Sequence, residues 1–455
     1  SNNLMYQSSV NKILEGQQGV ANAQERVTTG KKYLSTSESP SAYSQAALYT
    51  NKIQTNEQYT KNINQLNGRL EIEESILQSI NTTIQAAQEL AIRAGSGAMS
   101  NDDLKSIASE LSELQKSLVS LMNSQSEDGK YIFSGYQDTT QTYSFNSNTG
   151  QYDYQGDQGQ HSVTIAQGVN VKSSDNGFSA FENVNARLNV VDNKGTITGS
   201  ITAQSTVYVK NQADFDKFHK ANFDLDPTAT AADNSFQVEL VAGVNPGDPD
   251  TYVINDGYGN PVTPAVTGEF IGEPIEYAGM EFKLEGTAPG TFEFELEAPH
   301  KENVLNTMQN LITSLNSSLE GDELHDALAD GLDQLQSASE QVVFTQASLG
   351  ARMNLVESVT DSNSAIDINN KSSKSNLVEV DMAEAISDLT RHETALQASQ
   401  ATFGRLANLT LFDYFISHCL HTLRTCCCKV NHTTLYFSHP CDVCITITNT
   451  TLSMG

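Results

Sequence analysis

The sequence predicts a mainly α fold with an inserted β domain. The N- and C-terminal regions would form a long antiparallel helical bundle or coiled coil, with a β-rich domain between them. Three observations carry this. Apolar residues recur at steps of 3 and 4 from Ile63 to Leu121 and again from Val304 to Val356. Between those stretches the period falls to 2, most clearly over Met280–Glu297, and eight of the ten prolines lie between Pro227 and Pro299. A further helical pattern, Asp381–Tyr414, lies near the C-terminal end and is matched by a weaker one, Val10–Val27, near the start.

Charge narrows the function classes. The 455 residues carry 55 Asp and Glu against 26 Lys and Arg, a net charge of -29. Nucleic acid is therefore not expected as a partner, because neutralising phosphates needs a basic face and no basic stripe exists. No run approaches the 18 or so apolar residues of a membrane helix, so no membrane partner is expected either. The first residues, Ser1-Asn-Asn-Leu-Met-Tyr6, lack a basic segment followed by an apolar one, so no ordinary secretory signal is read there. The start also lacks an initiator Met and reads as truncated or engineered. All six Cys fall between Cys419 and Cys444, leaving a cysteine-free body.

In chain order, Val10, Ile13 or Leu14, Gln17, Val20 and Val27 give a first helix that ends at Thr28-Thr29-Gly30. A Ser-rich loop, Lys31–Ser41, follows and is punctuated by Pro40. Ile63, Leu66, Leu70, Leu77, Ile80 and Ile84, continued by Ala87, Ala91 and Ala94, form the strongest pattern, broken only by Glu73. It ends near Gly95-Ser96-Gly97. Ser100 or Asn101 caps the next helix, whose stripe is Leu104, Ile107, Leu111, Leu114, Leu118 and Leu121. With only a short turn between them, these two helices should pack antiparallel.

Gly129–Tyr136 is aromatic and flanked by Gly, which suits a strand, and Tyr152–Gln155 and Val163–Ile165 are further strand candidates. From Phe178 to Pro299 the chain is β in character. Met280–Glu285 and Thr291–Glu297, joined by Gly286–Gly290, read as a hairpin with Met280, Phe282, Leu284, Phe292, Phe294 and Leu296 on one face. Helix returns at His300 with Val304, Met308, Leu311, Leu315 and Leu319, breaks at Gly321-Asp322, and resumes with Leu324, Leu328, Leu335, Val342, Leu349 and Val356. The polar run Asn369–Asn376 reads as a joint. Beyond it, Asp381 can cap a helix with Glu384 three residues on, and Ile386, Leu389, Leu396 and Phe403 form its seam. That helix would run roughly 50 Å, longer than one compact domain needs.

These residues resemble the flagellin-related axial proteins of the bacterial flagellum, and most of all the hook-associated proteins that join hook to filament. The likeness is carried by Ser100–Leu121 followed by Gly129-Lys-Tyr-Ile-Phe-Ser-Gly-Tyr136, by Tyr154-Gln-Gly-Asp157 leading to Val163-Thr-Ile165, and by Ala395-Leu-Gln-Ala398 and Leu409-Thr-Leu-Phe-Asp-Tyr414. It covers roughly residues 4–414. The resemblance implies a structural subunit in the extracellular flagellum, exported by the flagellar type III apparatus without a cleaved signal. Its implied partners are copies of itself in a ring, a neighbouring hook-associated protein, flagellin, and an export chaperone at the C-terminal segment. Filament flagellin is the alternative function, and a surface- or glycan-binding module in residues 178–299 is another.

On this reading residues 1–50 pair with 376–414 as an assembly layer. Its seam would be Val10, Ile13, Val20 and Val27 with Ile386, Leu389, Leu396, Phe403, Leu409 and Leu411. Residues 51–177 hold the first half of the bundle and a short β segment, 178–299 the β insert, and 300–375 the second half. Three departures from the family stand out. Family members usually begin a few residues earlier, the Leu34–Ser41 loop has Glu38 and Ser39 where paired Asp is common, and the chain runs 41 residues past Tyr414.

Those last residues, 415–455, share nothing with the body and read as translation past or out of the native frame. Cys426, Cys428, His432, His439, Cys441 and Cys444 could be drawn as a zinc site, but only Cys441-x-x-Cys444 has ligand-pair spacing. Asn431-His-Thr433 and Asn449-Thr-Thr451 match glycosylation sequons by a pattern that chance often supplies. Tyr252 stands where a calcium loop around Asn255-Asp256-Gly257 needs Asp, so a surface turn is expected there. No Gly-rich phosphate loop with Lys, His-Glu-x-x-His pair or Gly-x-Ser-x-Gly elbow occurs. His392 reads as a solvated helix residue. We therefore expect neither an enzyme, a cofactor nor a metal.

Overall fold

A computed structural model describes residues 2–97 and 99–426, with side chains described for residues 4–97, 99–405 and 407. Local sequence sets the helix ends. Helix α1 (Asn2–Thr29) stops where Gly30 takes a φ of +68°, a left-handed cap that a side chain disfavours. Pro40, at the first turn where no amide partner is needed, opens α2 (Pro40–Ala94). Ser100 caps α3 (Asn101–Met122): its Oγ accepts from the Asp103 amide at 3.2 Å while Asp103 Oδ2 accepts from the Ser100 amide at 3.0 Å. The described residues divide into two compact units, one from the chain ends up to Asn51 and from Asn370, the other Lys52–Asn369.

In the Lys52–Asn369 unit two short hairpins follow α3, β1 (Tyr143–Asn146) with β2 (Gln151–Tyr154) and β3 (Ser162–Ala166) with β4 (Val169–Lys172). The inserted domain holds β5 (Thr196–Ile201), β6 (Thr206–Val209), α4 (Gln212–Asn222), β7 (Ser235–Val241), β8 (Asp250–Asp256), β9 (Thr267–Phe270), β10 (Ile275–Tyr277), β11 (Met280–Lys283) and β12 (Gly286–Glu295). Then come α5 (Val304–Asn316) and α6 (Gly321–Val378).

Four helices, α2, α3, α5 and α6, pack as a bundle in this unit. Asn56 Nδ2 donates to the Asn363 carbonyl at 2.8 Å, Ser339 Oγ to Asn81 Oδ1 at 2.7 Å, and Gln88 Nε2 to Gln336 Oε1 at 3.2 Å. Residue numbers rise along α2 as they fall along α6, so these two run antiparallel. Gln115 Nε2 ties α3 to α5 through the Leu305 carbonyl at 2.9 Å. Ile63, Leu66, Leu70, Leu77, Ile80, Ile84, Leu104, Ile107, Leu111, Leu118, Leu335, Val342, Leu349 and Val356 all lie buried in one core. Leu114 and Leu121 are half-buried there, and Gln115 and Met122 take the inward positions beside them. Each fully buried Leu or Ile contributes about 1.5–3 kcal/mol before chain entropy is set against it.

Three local expectations fail. The Gly129–Tyr136 segment is a chain of turns with only a Gln125–Tyr131 bridge, because Gly129 and Gly135 sit at φ of +74° and +69° and bend the chain where a strand would extend. The Asn369–Asn376 run is helical: it contains neither Gly nor Pro, and α6 continues through it to Val378. Lastly, Met280–Glu285 and Thr291–Glu297 do not form a hairpin. β11 lies in a three-stranded sheet, β10-β11-β6, and β12 in a five-stranded one, β5-β12-β7-β8-β9. Their six apolar residues nonetheless share one core, and the rings of Phe282 and Phe294 meet at 5.1 Å across the two sheets. Alternation marks an inward face; it does not say which sheet lies opposite.

The insert leaves and rejoins the bundle by two adjacent chain segments. The Ala186 amide donates to the His300 carbonyl at 3.1 Å and the Glu302 amide to the Val184 carbonyl at 3.0 Å. Ala180, Phe181 and Val184 still belong to the bundle core, and the insert's own core starts at Leu188.

Candidate assembly surface

The unit made from the chain ends is built on α1 and α7 (Met382–Cys426). Asp381 starts α7 by accepting from the Ala383 amide at 2.8 Å through its side chain and from the Ala385 amide at 2.8 Å through its carbonyl. Two linkers hold the pair at one end: the Lys32 amide donates to the Val378 carbonyl at 2.8 Å, and the Val380 amide to the Gly30 carbonyl at 3.0 Å. Glu38 accepts from the Leu34 amide at 3.3 Å and faces Arg26 Nη2 at 3.6 Å. Beside this tie lies an open cavity of about 620 Å³, lined by Lys31, Tyr43, Ala46, Lys374, Val378 and Met382 among others.

Along their length α1 and α7 run antiparallel. The Tyr6 and Phe403 rings meet at 5.1 Å, Gly16 faces Leu396, and Gly19 faces His392. A Cβ at Gly16 would stand 3.2 Å from Leu396 Cδ1, and one at Gly19 only 2.9 Å from His392 Nδ1. Small residues therefore set the approach. Ala23 on α1 and Ala385 on α7 are buried.

The expected seam residues are brought onto this pair but not covered by it. Val10, Ile13, Val20, Val27, Leu389, Leu396 and Phe403 are half-buried, and Ile386 is 52% exposed. Leu4 and Leu14 on α1 are 73% and 56% exposed. Leu409 and Leu411 lie outside the residues whose side chains are described, as does the whole Cys-rich set from Cys426 onward. Gln17, read into the α1 pattern, is exposed, and Gly16 occupies the inward place instead. The missed signal was there: Ile13, Gly16, Val20, Ala23 and Val27 keep steps of 3 and 4 once small residues count as seam residues. His392 is exposed, with its ring lying along Gly19.

A second constellation anchors the insert. Arg187, its side chain 2% exposed, places Nη1 2.9 Å from Asp326 Oδ1 and 2.6 Å from Asp330 Oδ1 on α6, and donates from Nε to Gln212 Oε1 at 2.6 Å. Burial pushes the Asp330 carboxyl up to about 6, against the pull of Arg187. Lys210 Nζ and Lys283 Nζ reach Asp322 at 2.7 and 2.5 Å and hold its carboxyl below the ordinary range. Asp256 closes the Asn255–Asn260 turn by accepting from the Tyr258 amide at 3.0 Å and the Asn260 amide at 2.8 Å. Among the described residues no group of three or more His, Cys, Asp or Glu could hold a metal ion, and no helix is long and apolar enough to cross a membrane.

Two family profiles match the two ends of the chain: the bacterial flagellin N-terminal helical region over residues 1–138 and the bacterial flagellin C-terminal helical region over 332–415. Flagellar hook-associated protein 3 of Escherichia coli K12 is 34% identical over 152 residues, 33% of this chain and 47% of that protein. The two ends of the chain are thus flagellin-like, and one stretch of it is similar to hook-associated protein 3. It matches about half the length of that relative. Phase 1 flagellin of Salmonella naestved is 23% identical over 312 residues, 62% of this chain and 54% of that protein. In fold, a hook associated protein-3 crystal structure from Legionella pneumophila covers 73% of this chain and 98% of its own, with a TM-score of 0.54 and 23% identity.

Proposed function

We propose that this chain is a structural subunit of the bacterial flagellum, an adaptor that joins hook to filament. The observation that carries this is the incomplete burial of the α1–α7 seam. Residues patterned as a coiled-coil interior stay half-open to water because, among the described residues, two helices meet there. Such a surface is completed by neighbours: other copies of the chain in a ring, an adjoining hook-associated protein on one side and flagellin on the other. The higher identity to hook-associated protein 3 favours the junction over the filament. Export through the flagellar type III apparatus, with a chaperone on the C-terminal helix until assembly, and a final place outside the cell complete this reading.

The test is immunogold labelling of isolated flagella with an antibody to the β insert. Label confined to one position between hook and filament is expected. Label along the whole filament would make the chain a flagellin, and intact flagella without label would remove it from the structure.

A further inference from the structure

The one break in the α2 apolar stripe is Glu73, set between the fully buried Leu70 and Leu77 and itself 0% exposed. It faces the strap Ser173–Gly177, which leads from β4 to the core residues Ala180 and Phe181. Glu73 Oε1 accepts from the Asp175 amide at 2.9 Å, and Oε2 has no hydrogen-bond partner. From α6, Arg352 pairs with the Asp175 carboxylate through Nη2 and donates from Nη1 to the Lys172 carbonyl at 3.3 Å. Asp175 and Arg352 are both about nine-tenths buried. Further ties of the strap include the Ser173 amide to the His161 carbonyl at 2.9 Å, Asn176 Nδ2 to the Gln158 carbonyl at 2.9 Å and the Gly177 amide to the Phe133 carbonyl at 2.7 Å.

Charge does not balance in this site. One guanidinium meets two carboxylates, and the ion pair with Asp175 uses it. Burying an unpaired carboxylate costs far more than binding a proton, so Glu73 is held neutral. The charged groups that act on it are Asp175 from the strap and Arg352 from α6. Arg69, one turn earlier on α2, is paired with Asp128 at 3.0 Å. Burial first, and the Asp175 charge second, push the Glu73 carboxyl up to about 8.

We infer that Glu73 is a proton-operated latch: with its proton it holds the Ser173–Gly177 strap between α2 and α6, and losing that proton at alkaline pH releases the strap. A carboxyl raised in the folded state favours folding fully below its unfolded value. That contribution is lost as pH rises through the folded value.

Hydrogen exchange of the full chain, corrected for intrinsic rates, tests this at about pH 6 and about pH 9, with steps between them to locate the midpoint, on wild type, Glu73→Gln and Asp175→Asn. In wild type the strap amides should lose about tenfold or more of their protection at the higher pH, relative to the Leu104–Leu118 segment of α3. Glu73→Gln keeps an acceptor for the Asp175 amide and has no proton to lose, so its strap should stay protected at both. Asp175→Asn frees Arg352 to pair with Glu73 and should move the midpoint to lower pH. Equal wild-type protection at both pH values, the same loss in Glu73→Gln, or an unmoved midpoint in Asp175→Asn would each overturn the latch. Where Glu73→Gln fails to fold, the wild-type and Asp175→Asn comparison decides.

Discussion

The rings of Tyr6 and Phe403 meet at 5.1 Å with their planes tilted by 50°, one near the start of α1 and the other 21 residues into α7. Two segments almost 400 residues apart in sequence thus share one antiparallel contact. Its half-open seam is the basis of the assembly role proposed above. A paired substitution on that seam separates assembly from folding. Leu396→Asp with Phe403→Asp should leave the main thermal transition of the purified chain unchanged, because the bundle core lies within Lys52–Asn369. In cells it should block incorporation at the hook tip, since covering two carboxylates with neighbours costs several kcal/mol. Motility and counts of junctions in isolated flagella read the outcome, and normal values would remove the seam assignment.

The close approach of the two helices predicts a compensating pair. Gly19→Val places a Cβ 2.9 Å from His392 Nδ1, forcing the imidazole aside, and should weaken the α1–α7 contact by about 1 kcal/mol. His392→Ala in the same chain should restore most of it, giving a positive interaction energy in a double-mutant cycle read by hydrogen exchange over residues 10–25. Additive effects would mean that the two residues do not meet in solution.

In the bundle, burial separates two apolar residues of the same helix. Leu77→Ala removes a fully buried side chain and should cost about 2–5 kcal/mol in urea denaturation. Ile92→Ala, at a side chain 62% exposed, should stay within about 0.5 kcal/mol.

Arg187 and Asp326 make the insert's anchor sensitive to one charge. Arg187→Ala strands the buried Asp326 carboxylate and should cost about 3–5 kcal/mol, loosening residues 185–193 in hydrogen exchange while the five-stranded sheet keeps its protection. Acid acts on the neighbouring contact in a defined direction. The Asp322 carboxyl is held below its ordinary value by Lys210 and Lys283, so its contribution is complete above the ordinary value and lost as pH falls through the lowered one. Asp322→Asn should therefore lose the acid-dependent part of the insert's docking, measured as protection of residues 206–210 on going from neutral pH to about pH 3.

How far the sequence spoke for itself depended on the range of the interaction. Heptads from Ile63 to Leu121 announced the bundle because a helix face repeats locally, and Ser100 with Asp103 announced a helix start for the same reason. Phe282 and Phe294 announced an inward face but not that they belong to different sheets, since strand pairing is a long-range choice. Arg187 and Asp326 are 139 residues apart, and no periodicity links them. On α1 the seam was obscured by Gly16 and Ala23, which contribute closeness in place of apolar bulk. Glu73 was visible as an irregularity, and only the strap folded over it gives that irregularity a partner.

In the proposed role the α1–α7 surface, open in the single chain, is covered by neighbours in the flagellum. Maleimide labelling of Leu14→Cys, in a chain whose six cysteines are changed to Ser, reads this coverage. Leu14 is 56% exposed here, so the free subunit should label to completion. The same cysteine should be strongly protected in isolated hook-filament junctions. Labelling equal to that of the free subunit would contradict it.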